Sequence, residues 1–412
     1  MNHRSRRRRR RTGPVLLALV ATALGCGLVG YGFTLHLRDA QAKPSLQPTS
    51  GPSPTASALA GPRQVTLLAA GDVIVHPPIW EQAKADANGK GYNFLPMFES
   101  VTATITAADL ALCHLEVPIA AAGSTPAGFP LFNAPPEILD GLKKAGFDGC
   151  STAGNHALDK GAEGITRTLD AMDKAGLGHA GTARTVEEAD TIKVYDVRGV
   201  KIAHLSYSYG YGVKRPSGKE WMANQIDPAQ IKAAAKRAKD AKADLVVVSM
   251  HWGTEYQHEP NEDQERWAKE LLATPEIDLI LGHHTHSVQA MERIGDKWAI
   301  YGLGNEIARH SENFDKSREG MMARLTLTEN QPGKWQVSKT EAIATWTQLT
   351  PKVRIIELPK AAVDQTLTAT ARKTYQTTLD RIAGYLRLRG ADSAGLLVVG
   401  ASPGKSPSPS PR

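Results

Sequence analysis

The stretch Ile277–Gln289, IDLILGHHTHSVQ, decides how the rest of the chain is expected to fold. Its apolar run ends at Gly282, and three histidines then follow within four positions: His283, His284 and His286. A short apolar run bounded by glycine is typical of a buried strand, although periodicity alone does not exclude a helical segment. Imidazoles two positions apart on a turn can converge on one metal ion or on two neighbouring ions. The alternative for this stretch alone is a loop of solvated histidines.

The composition is that of a globular protein with a basic tail. The chain has 412 residues, 41% hydrophobic and 22% charged, which suffices for one large domain or two ordinary ones. The net charge is +7, and Arg4 with the run Arg6–Arg11 supplies all of it, because 42 basic and 42 acidic residues remain. The remaining chain shows no basic stripe with interleaved aromatic residues, so we expect no nucleic-acid partner.

The amino-terminal segment predicts a membrane anchor. Residues 1–12 form a basic, cytoplasmic tail, and residues 13–37 carry no charge over 25 positions, against roughly 20 needed to span a bilayer. Arginines before an apolar span keep the amino terminus in the cytoplasm. We therefore expect a single-pass protein of the cell membrane with its carboxyl-terminal domain extracytoplasmic. The alternative is secretion after signal cleavage, since Ala40-Gln41-Ala42 fits a small-x-small cleavage site.

Composition also divides the rest of the chain. Residues 38–63 are rich in Pro, Ser and Thr and predict an extended linker. Residues 64–350 are expected to form the main domain, residues 351–400 a helical extension, and residues 401–412 a disordered Ser/Pro tail. Cys113 and Cys150 can pair outside the cell, but both lie in apolar, strand-like runs, so buried free thiols are an equal alternative.

Polar residues follow several predicted strands at the point where each strand ends. Strands alternating with helices predict βαβ units around a mostly parallel sheet, whose carboxyl ends share one edge. Antiparallel-looking pairs at 193–207 and 322–343 suggest a second sheet. Seven residues fall within about six positions after an apolar run and are therefore expected to meet, although each has an ordinary structural explanation on its own. They are Asp72, Glu116, Asn155, His156, His251, His284 and His286.

These residue types predict a metal centre. Oxygen and imidazole ligands without thiolate suit zinc, manganese or iron. The donors are more numerous than one tetrahedral ion needs, which favours two ions roughly 3.5–4 Å apart that share a bridging ligand. His156, beside the expected ligand Asn155, is then free to protonate a leaving group or to hold an oxyanion.

The order and spacing of these motifs resemble the calcineurin-like metallophosphoesterases, and most closely their capsule-synthesis branch, the CapA (poly-γ-glutamate biosynthesis) proteins. The resemblance covers about Val65 to Asn305. The motifs that carry it are Gly71-Asp72, Leu115-Glu116, Asn155-His156-Ala157-Leu158-Asp159, His251-Trp252-Gly253-Thr254-Glu255-Tyr256, Gly282-His283-His284-Thr285-His286 and Tyr301-Gly302-Leu303-Gly304-Asn305.

The resemblance implies an α/β, four-layer sandwich of two β-sheets flanked by helices, with divalent metals at the strand ends. It implies metal ligation by Asp72, Glu116, Asn155, His251, His284 and His286, with His156 as the catalytic acid or oxyanion group. Further candidate ligands within or beside the motifs are His76, His114, Asp159, Glu255, His283 and Asn305. The sequence departs from the phosphoesterase pattern Asp-x-His at Ile74, where that pattern has the histidine, with His76 as a substitute. It also departs at His114, where the family has an asparagine.

Two functions follow from the resemblance. The first is a metal-dependent hydrolase or transferase in capsule or poly-γ-glutamate biosynthesis, acting outside the membrane on a cell-envelope polymer or beside its synthesis and export machinery. The second is a non-catalytic accessory subunit that keeps the fold and helps to export or anchor the polymer. An ATP-driven ligase is disfavoured, because the segment Gly212–Lys219 has the wrong length for a phosphate-binding loop and is followed by Glu220 instead of Ser or Thr.

Overall fold

The computed structural model describes residues 62–310 and 315–403. The predicted basic tail, apolar span, nearly all of the linker and most of the carboxyl-terminal tail lie outside these ranges. Within the described ranges, no helix combines the length and the apolarity that crossing a membrane requires.

Fifteen strands are present in the described part of the chain. They are β1 (Gln64–Val73), β2 (Leu110–Leu115), β3 (Gly149–Ser151), β4 (Gly178–Ala180), β5 (Lys193–Val197), β6 (Val200–Ser208), β7 (Leu245–His251), β8 (Leu279–His283), β9 (Met291–Ile294), β10 (Lys297–Ile300), β11 (Asn305–Ile307), β12 (Glu319–Gln331), β13 (Lys334–Gln348), β14 (Arg354–Glu357) and β15 (Leu396–Val398).

The α-helices of the described residues lie between these strands. They are α1 (Pro77–Asp86), α2 (Leu95–Thr106), α3 (Glu137–Ala145), α4 (Gly161–Ala175), α5 (Val186–Asp190), α6 (Pro228–Asp240), α7 (Glu262–Leu272), α8 (Leu358–Ala361) and α9 (Ala369–Leu386).

The strands form two sheets, each with a parallel centre. The larger has the order β14-β13-β12-β1-β2-β3-β4, with β11 paired to β1 and β15 paired to β13. The smaller has the order β5-β6-β7-β8-β10-β9. Strands β1, β2 and β3 are parallel to one another, as are β6, β7 and β8. The carboxyl ends of each parallel set therefore lie together.

Alternating side chains assemble these elements into four layers. Leu67 on β1 and Val247 on β7 share the core between the two sheets. The neighbouring Leu68 points the other way, into the core with α2 and α3, because successive side chains on a strand face opposite sides. Val248 likewise packs into a third core with α6 and α7. The architecture is thus two sheets flanked by helices, which confirms the predicted α/β sandwich.

Local sequence signals account for several element boundaries. Helix α3 ends at Ala145 because the next residue, Gly146, has a φ of 110°, a conformation that glycine adopts readily at a helix end. Helix α7 begins at a capping box in which Asn261 and Gln264 bond each other's backbone. The predicted hairpin at 193–207 is confirmed as β5–β6, with a tight turn at Arg198 and Gly199, both at positive φ.

Two parts of the chain differ from expectation. The antiparallel pair near 322–343 is β12–β13, and it extends the larger sheet beside β1 instead of forming a second one. Residues 351–400 contain α9 but also β14 and β15, which both pair with β13. Short strands at a sheet edge gain their hydrogen bonds from tertiary pairing, which local sequence preference does not reveal.

The two cysteines of the described domain form a disulfide. Cys113 and Cys150 are direct partners on the adjacent parallel strands β2 and β3, with a Cα–Cα distance of 4.4 Å. This Cα–Cα distance falls within the range that a disulfide requires. Of the two alternatives left open by the sequence, pairing is the one the structure contains.

Candidate metal centre

The strand-end residues meet between the two sheets. Asp72 lies at the end of β1, Glu116 follows β2, and Asn155 follows β3 in the larger sheet. In the smaller sheet, His251 ends β7. His284 and His286 lie in the loop that follows β8, which we call the histidine loop. These groups lie close together, as expected. They come from the facing strand ends of two sheets, however, and not from one shared sheet edge.

Asp72 is the most buried acid of the centre, with no exposed surface. Its carboxylate lies 3.1 Å from Nδ1 of His283 and 3.4 Å from Nδ1 of His286, and it accepts the backbone N–H of His284 at 3.0 Å. Burial raises the pKa of Asp72, but the hydrogen bonds from His283 and His286 outweigh it and hold the pKa well below its usual range. Asp72 is therefore an anion that organises the histidine loop.

Glu116 occupies the middle of the centre. It is 1% exposed, and neither carboxylate oxygen has a hydrogen-bond partner among the described residues. Burial raises its pKa to about 7. Its carboxylate belongs to two groups of three side chains whose donor atoms lie within 4.8 Å of one another: one group with Asp72 and His286, the other with His114 and His251. A buried carboxylate without hydrogen bonds is costly unless positive charge lies close to it, and the only ion-pair contact of Glu116 among the described residues is a long one, 4.0 Å to Nε2 of His286. Glu116 is therefore suited to be a metal ligand shared by the two groups.

His251 connects the two halves of the centre. Its Nε2 lies 3.2 Å from Oδ1 of Asn155, and its Nδ1 lies 2.9 Å from Nε2 of His114. His114 in turn contacts the hydroxyl of Ser151 at 2.8 Å through Nδ1. A metal-binding imidazole is usually oriented through its second nitrogen in this manner. His114, where the family pattern has asparagine, is therefore placed as a ligand candidate.

Two residues of the histidine loop have positive φ, which is unusual for residues other than glycine. His284 has φ of 87° and His286 has φ of 49°, conformations that cost a non-glycine residue roughly 1 kcal/mol or more and that cluster at functional sites. Nδ1 of His284 is buried and has no hydrogen-bond partner among the described residues. Donor atoms of His284, His286 and Glu255 form a third group within 4.8 Å, and Glu255 is exposed. This group opens the centre towards solvent.

The electrostatics of His286 follow from its neighbours. Burial alone lowers the pKa of His286, but the charges of Glu116 and Asp72 raise it to about 9. A divalent cation bound here would take the place of the proton on His286 that these two carboxylates stabilise. Asn305 contacts Nδ1 of His286 through Oδ1 at 3.1 Å and donates to the carbonyl of Ser317 at 2.6 Å. Asn305 thus orients His286.

His156, the predicted catalytic residue, lies beside the donor groups without belonging to any of them in the described part of the chain. Its Nδ1 is 2.8 Å from Oδ2 of Asp159, which also accepts the backbone N–H of Phe132 at 2.8 Å. Burial lowers the pKa of His156, but the hydrogen bond to Asp159 raises it above its usual value. Asp159, predicted as a possible ligand, is instead occupied in holding a partly exposed imidazole.

Two other candidate ligands, His76 and His283, belong to none of the donor groups among the described residues. His76, the proposed substitute for the missing histidine, accepts the backbone N–H of Arg309 at 3.2 Å through Nδ1 and packs edge-on against Phe132. Among the described residues it belongs to no donor group. His283 bonds Asp72 and stacks on His114 at a ring-centroid distance of 4.4 Å. His283 is therefore placed to position its neighbours.

Three residues of the centre were missed by sequence reasoning. Ser151 orients His114, and the ring of Tyr209 lies 4.6 Å from that of His284. His310 lies 4.4 Å from His286, ring to ring, and burial lowers its pKa to about 2. All three lie at or just after strand ends, so the positional rule that selected the histidines, applied to every polar or aromatic residue, would have included them.

Taken together, the fold and the donor set define the class: a two-sheet α/β sandwich with a candidate divalent-metal centre between the carboxyl ends of its strands. Residues 66–310, more than half of the chain, match the family described as bacterial capsule synthesis protein PGA_cap. The chain belongs to this family.

Individual relatives are consistent with this membership. The chain is 30% identical to the capsule biosynthesis protein CapA of Bacillus anthracis over 202 residues, 48% of each chain. It is 30% identical to the PGA biosynthesis protein CapA of Bacillus subtilis over 209 residues, 49% of this chain and 53% of the relative. The chain thus spans about half the length of the curated relatives it matches.

Among solved structures, the chain is similar to that of the calcineurin-like phosphoesterase YfkN of Bacillus subtilis. The match covers 78% of this chain and 97% of that one, at 13% identity and a TM-score of 0.38.

Proposed function

We propose that the centre binds two divalent cations, zinc, manganese or iron, and that the protein is a metal-dependent hydrolase or transferase of cell-envelope polymer biosynthesis. Its place would be outside the membrane, anchored by residues 13–37, next to the capsule or poly-γ-glutamate polymer or its synthesis and export machinery. Membership in the capsule synthesis family supports a role with a cell-envelope polymer. The charge pattern of the amino terminus supports a position outside the membrane.

The observation that carries this proposal is the buried carboxylate of Glu116, which has no hydrogen-bond partner among the described residues although two donor groups surround it. Asp72, Glu116 and His286 would hold one cation. Glu116, Asn155, His251 and His284 would hold the other, with His114 as a further donor. When bound, such a pair lowers the pKa of a water molecule and neutralises charge on a reacting group.

The residues of the chain supply the remaining chemistry. His156 is partly exposed and protonated more readily than a free histidine, since Asp159 fixes its Nδ1. Its Nε2 is therefore the atom that would give a proton to a leaving oxygen or nitrogen. Asp72 and Asn305 hold the histidine loop in place, so the site is ordered before a substrate arrives.

The proposal is tested by elemental analysis of the full-length protein beside His251→Ala, with hydrolysis of a generic phosphodiester and a γ-glutamyl amide as readouts. We expect about two equivalents of metal in the wild type, a loss of metal in the variant, and hydrolysis that depends on metal. Equal metal content in both proteins would show that the metal binds at a site without His251.

A second candidate function is a non-catalytic accessory subunit. The observation that favours it is Ile74, a buried aliphatic residue at the position where the phosphoesterase pattern Asp-x-His has a histidine ligand. A protein that lacks metal and hydrolytic activity but still binds the polymer would support this function over the first.

A further inference from the structure

A cavity lies between the edges of the two sheets, where β4 ends the larger sheet and β5 ends the smaller one. Strand β5 begins at Lys193, whose partner on β6 is His204. Beyond His204, β6 has no strand partner on that side until Ser208 forms an isolated bridge with Gln225. The resulting gap has a volume of about 390 Å³, which falls within the range of small-molecule sites. None of the donors of the proposed metal centre lines this cavity.

Part of the cavity wall is apolar. Leu205, Tyr207 and Trp221 line it, and the first two are buried. Binding sites for small molecules combine such apolar surface with a few polar groups that fix the orientation of the ligand. The wall therefore suits the hydrocarbon part of an organic molecule.

His204 contributes a polar group to the same wall. It is 1% exposed, and its Nε2 lies 2.9 Å from the hydroxyl of Ser249. Its Nδ1 is buried and has no hydrogen-bond partner among the described residues. Since an unpaired buried polar atom is costly, a ligand that bonds Nδ1 would stabilise both itself and the folded chain.

The charged side chains of the lining give the ligand its expected charge. Lys193, Arg237 and Asp190 all line the cavity, and none of them has an ion-pair partner in the described part of the chain. Glu188 also lines it, but Arg184 donates two hydrogen bonds to this carboxylate from Nε, at 3.0 and 3.1 Å. The charges left for a ligand are therefore two positive and one negative.

We propose that this cavity binds a small organic molecule with two carboxylates and one amino group, the charge pattern of an acidic amino acid. Lys193 and Arg237 would bind the carboxylates through charge-assisted hydrogen bonds, and Asp190 would bind the amino group. Nδ1 of His204 would form one further hydrogen bond. The inference does not depend on the proposed metal centre, because no donor of that centre takes part.

The test is calorimetric titration of the metal-free, full-length protein with glutamate. Three further probes are glutarate, which lacks the amino group, glutamine, which lacks the second carboxylate, and inorganic phosphate. The variants are Lys193→Gln, Arg237→Gln and Asp190→Asn, each at a position that is not fully buried. The matched control is Lys201→Gln, an exposed lysine of β6 outside the cavity. Circular dichroism confirms that each variant is folded.

We expect the wild type and Lys201→Gln to bind glutamate equally, and more tightly than glutarate, glutamine or phosphate. Lys193→Gln and Arg237→Gln should each weaken glutamate binding by at least roughly tenfold. Asp190→Asn should bind glutamate and glutarate with equal affinity. In His251→Ala, glutamate binding should be unchanged.

Three results would overturn the inference. The first is an absence of glutamate binding at about 10 mM. The second is an affinity for glutamate that Lys193→Gln and Arg237→Gln leave unchanged, or that phosphate matches. The third is loss of glutamate binding in His251→Ala, which would place the ligand at the metal centre. Metal analysis of the same preparations tests that centre separately.

Discussion

Nε2 of His114 lies 2.9 Å from Nδ1 of His251, although 137 residues separate the two histidines in sequence. One imidazole belongs to the larger sheet and the other to the smaller, so this contact joins the two halves of the centre. Burial lowers the pKa of both histidines well below the usual value, which keeps the imidazoles neutral and suited to bind metal.

Replacing His114 should therefore weaken metal binding. For His114→Ala we expect a loss of about 10–100-fold in affinity at one of the two metal positions, because a donor and the partner of His251 disappear together. Competition with a chromophoric chelator measures this change. The matched control is His179→Ala, a histidine outside the centre that pairs with Asp173, and it should bind metal normally. Equal affinities in both variants would show that His114 has only a packing role.

Replacing His156 should separate catalysis from metal binding. His156→Asn keeps the donor groups intact, since His156 belongs to none of them among the described residues. We expect kcat to fall by about 10²–10⁴ while metal content stays unchanged, which is the usual contribution of a general acid. Loss of metal in this variant, or full activity, would contradict the assigned role.

His204 should make the protein sensitive to acid. It is buried in β6, with Nε2 2.9 Å from the hydroxyl of Ser249, and burial lowers its pKa to about 3. Between pH 6.5 and pH 3, His204 binds a proton in the unfolded chain but not in the folded chain. The free energy of unfolding therefore decreases as pH falls. Metal-free wild type should lose roughly 2 kcal/mol more than His204→Asn between pH 6.5 and 5.

Urea denaturation at several pH values measures that difference. The comparison with His204→Asn is needed because other buried histidines, such as His251, contribute the same kind of pH dependence to both proteins. Parallel pH profiles for the two proteins would mean that His204 is protonated in the folded state.

The disulfide should contribute strongly to stability. It closes a segment with a sequence separation of 37 between Cys113 and Cys150. The chain-entropy relation gives about 4 kcal/mol for a loop of this length. Replacing both cysteines by alanine should lower the free energy of unfolding by roughly that amount, and thiol titration of the denatured wild type should detect Cys26 alone. Three free thiols in oxidised protein would rule out the pairing.

Much of the centre could be predicted because its residues follow apolar runs that form buried strands. The run before Asp72 and the run LVVVS before His251 are such strands, β1 and β7. The division of the centre between two sheets could not be predicted, because pairing partners of strands depend on contacts distant in sequence. The sequence also does not reveal that His76 lies outside the donor groups, because its position depends on long-range contacts with Arg309 and Phe132.

The central claim is that Glu116 is shared by two cations. Anomalous diffraction from crystals of the manganese-loaded protein tests it most directly. We predict two peaks roughly 3.5–4 Å apart, one beside Asp72 and His286 and the other beside His251, with a Glu116 oxygen coordinating both. An absence of peaks between the sheets, or a single ion that Glu116 does not touch, would contradict the account.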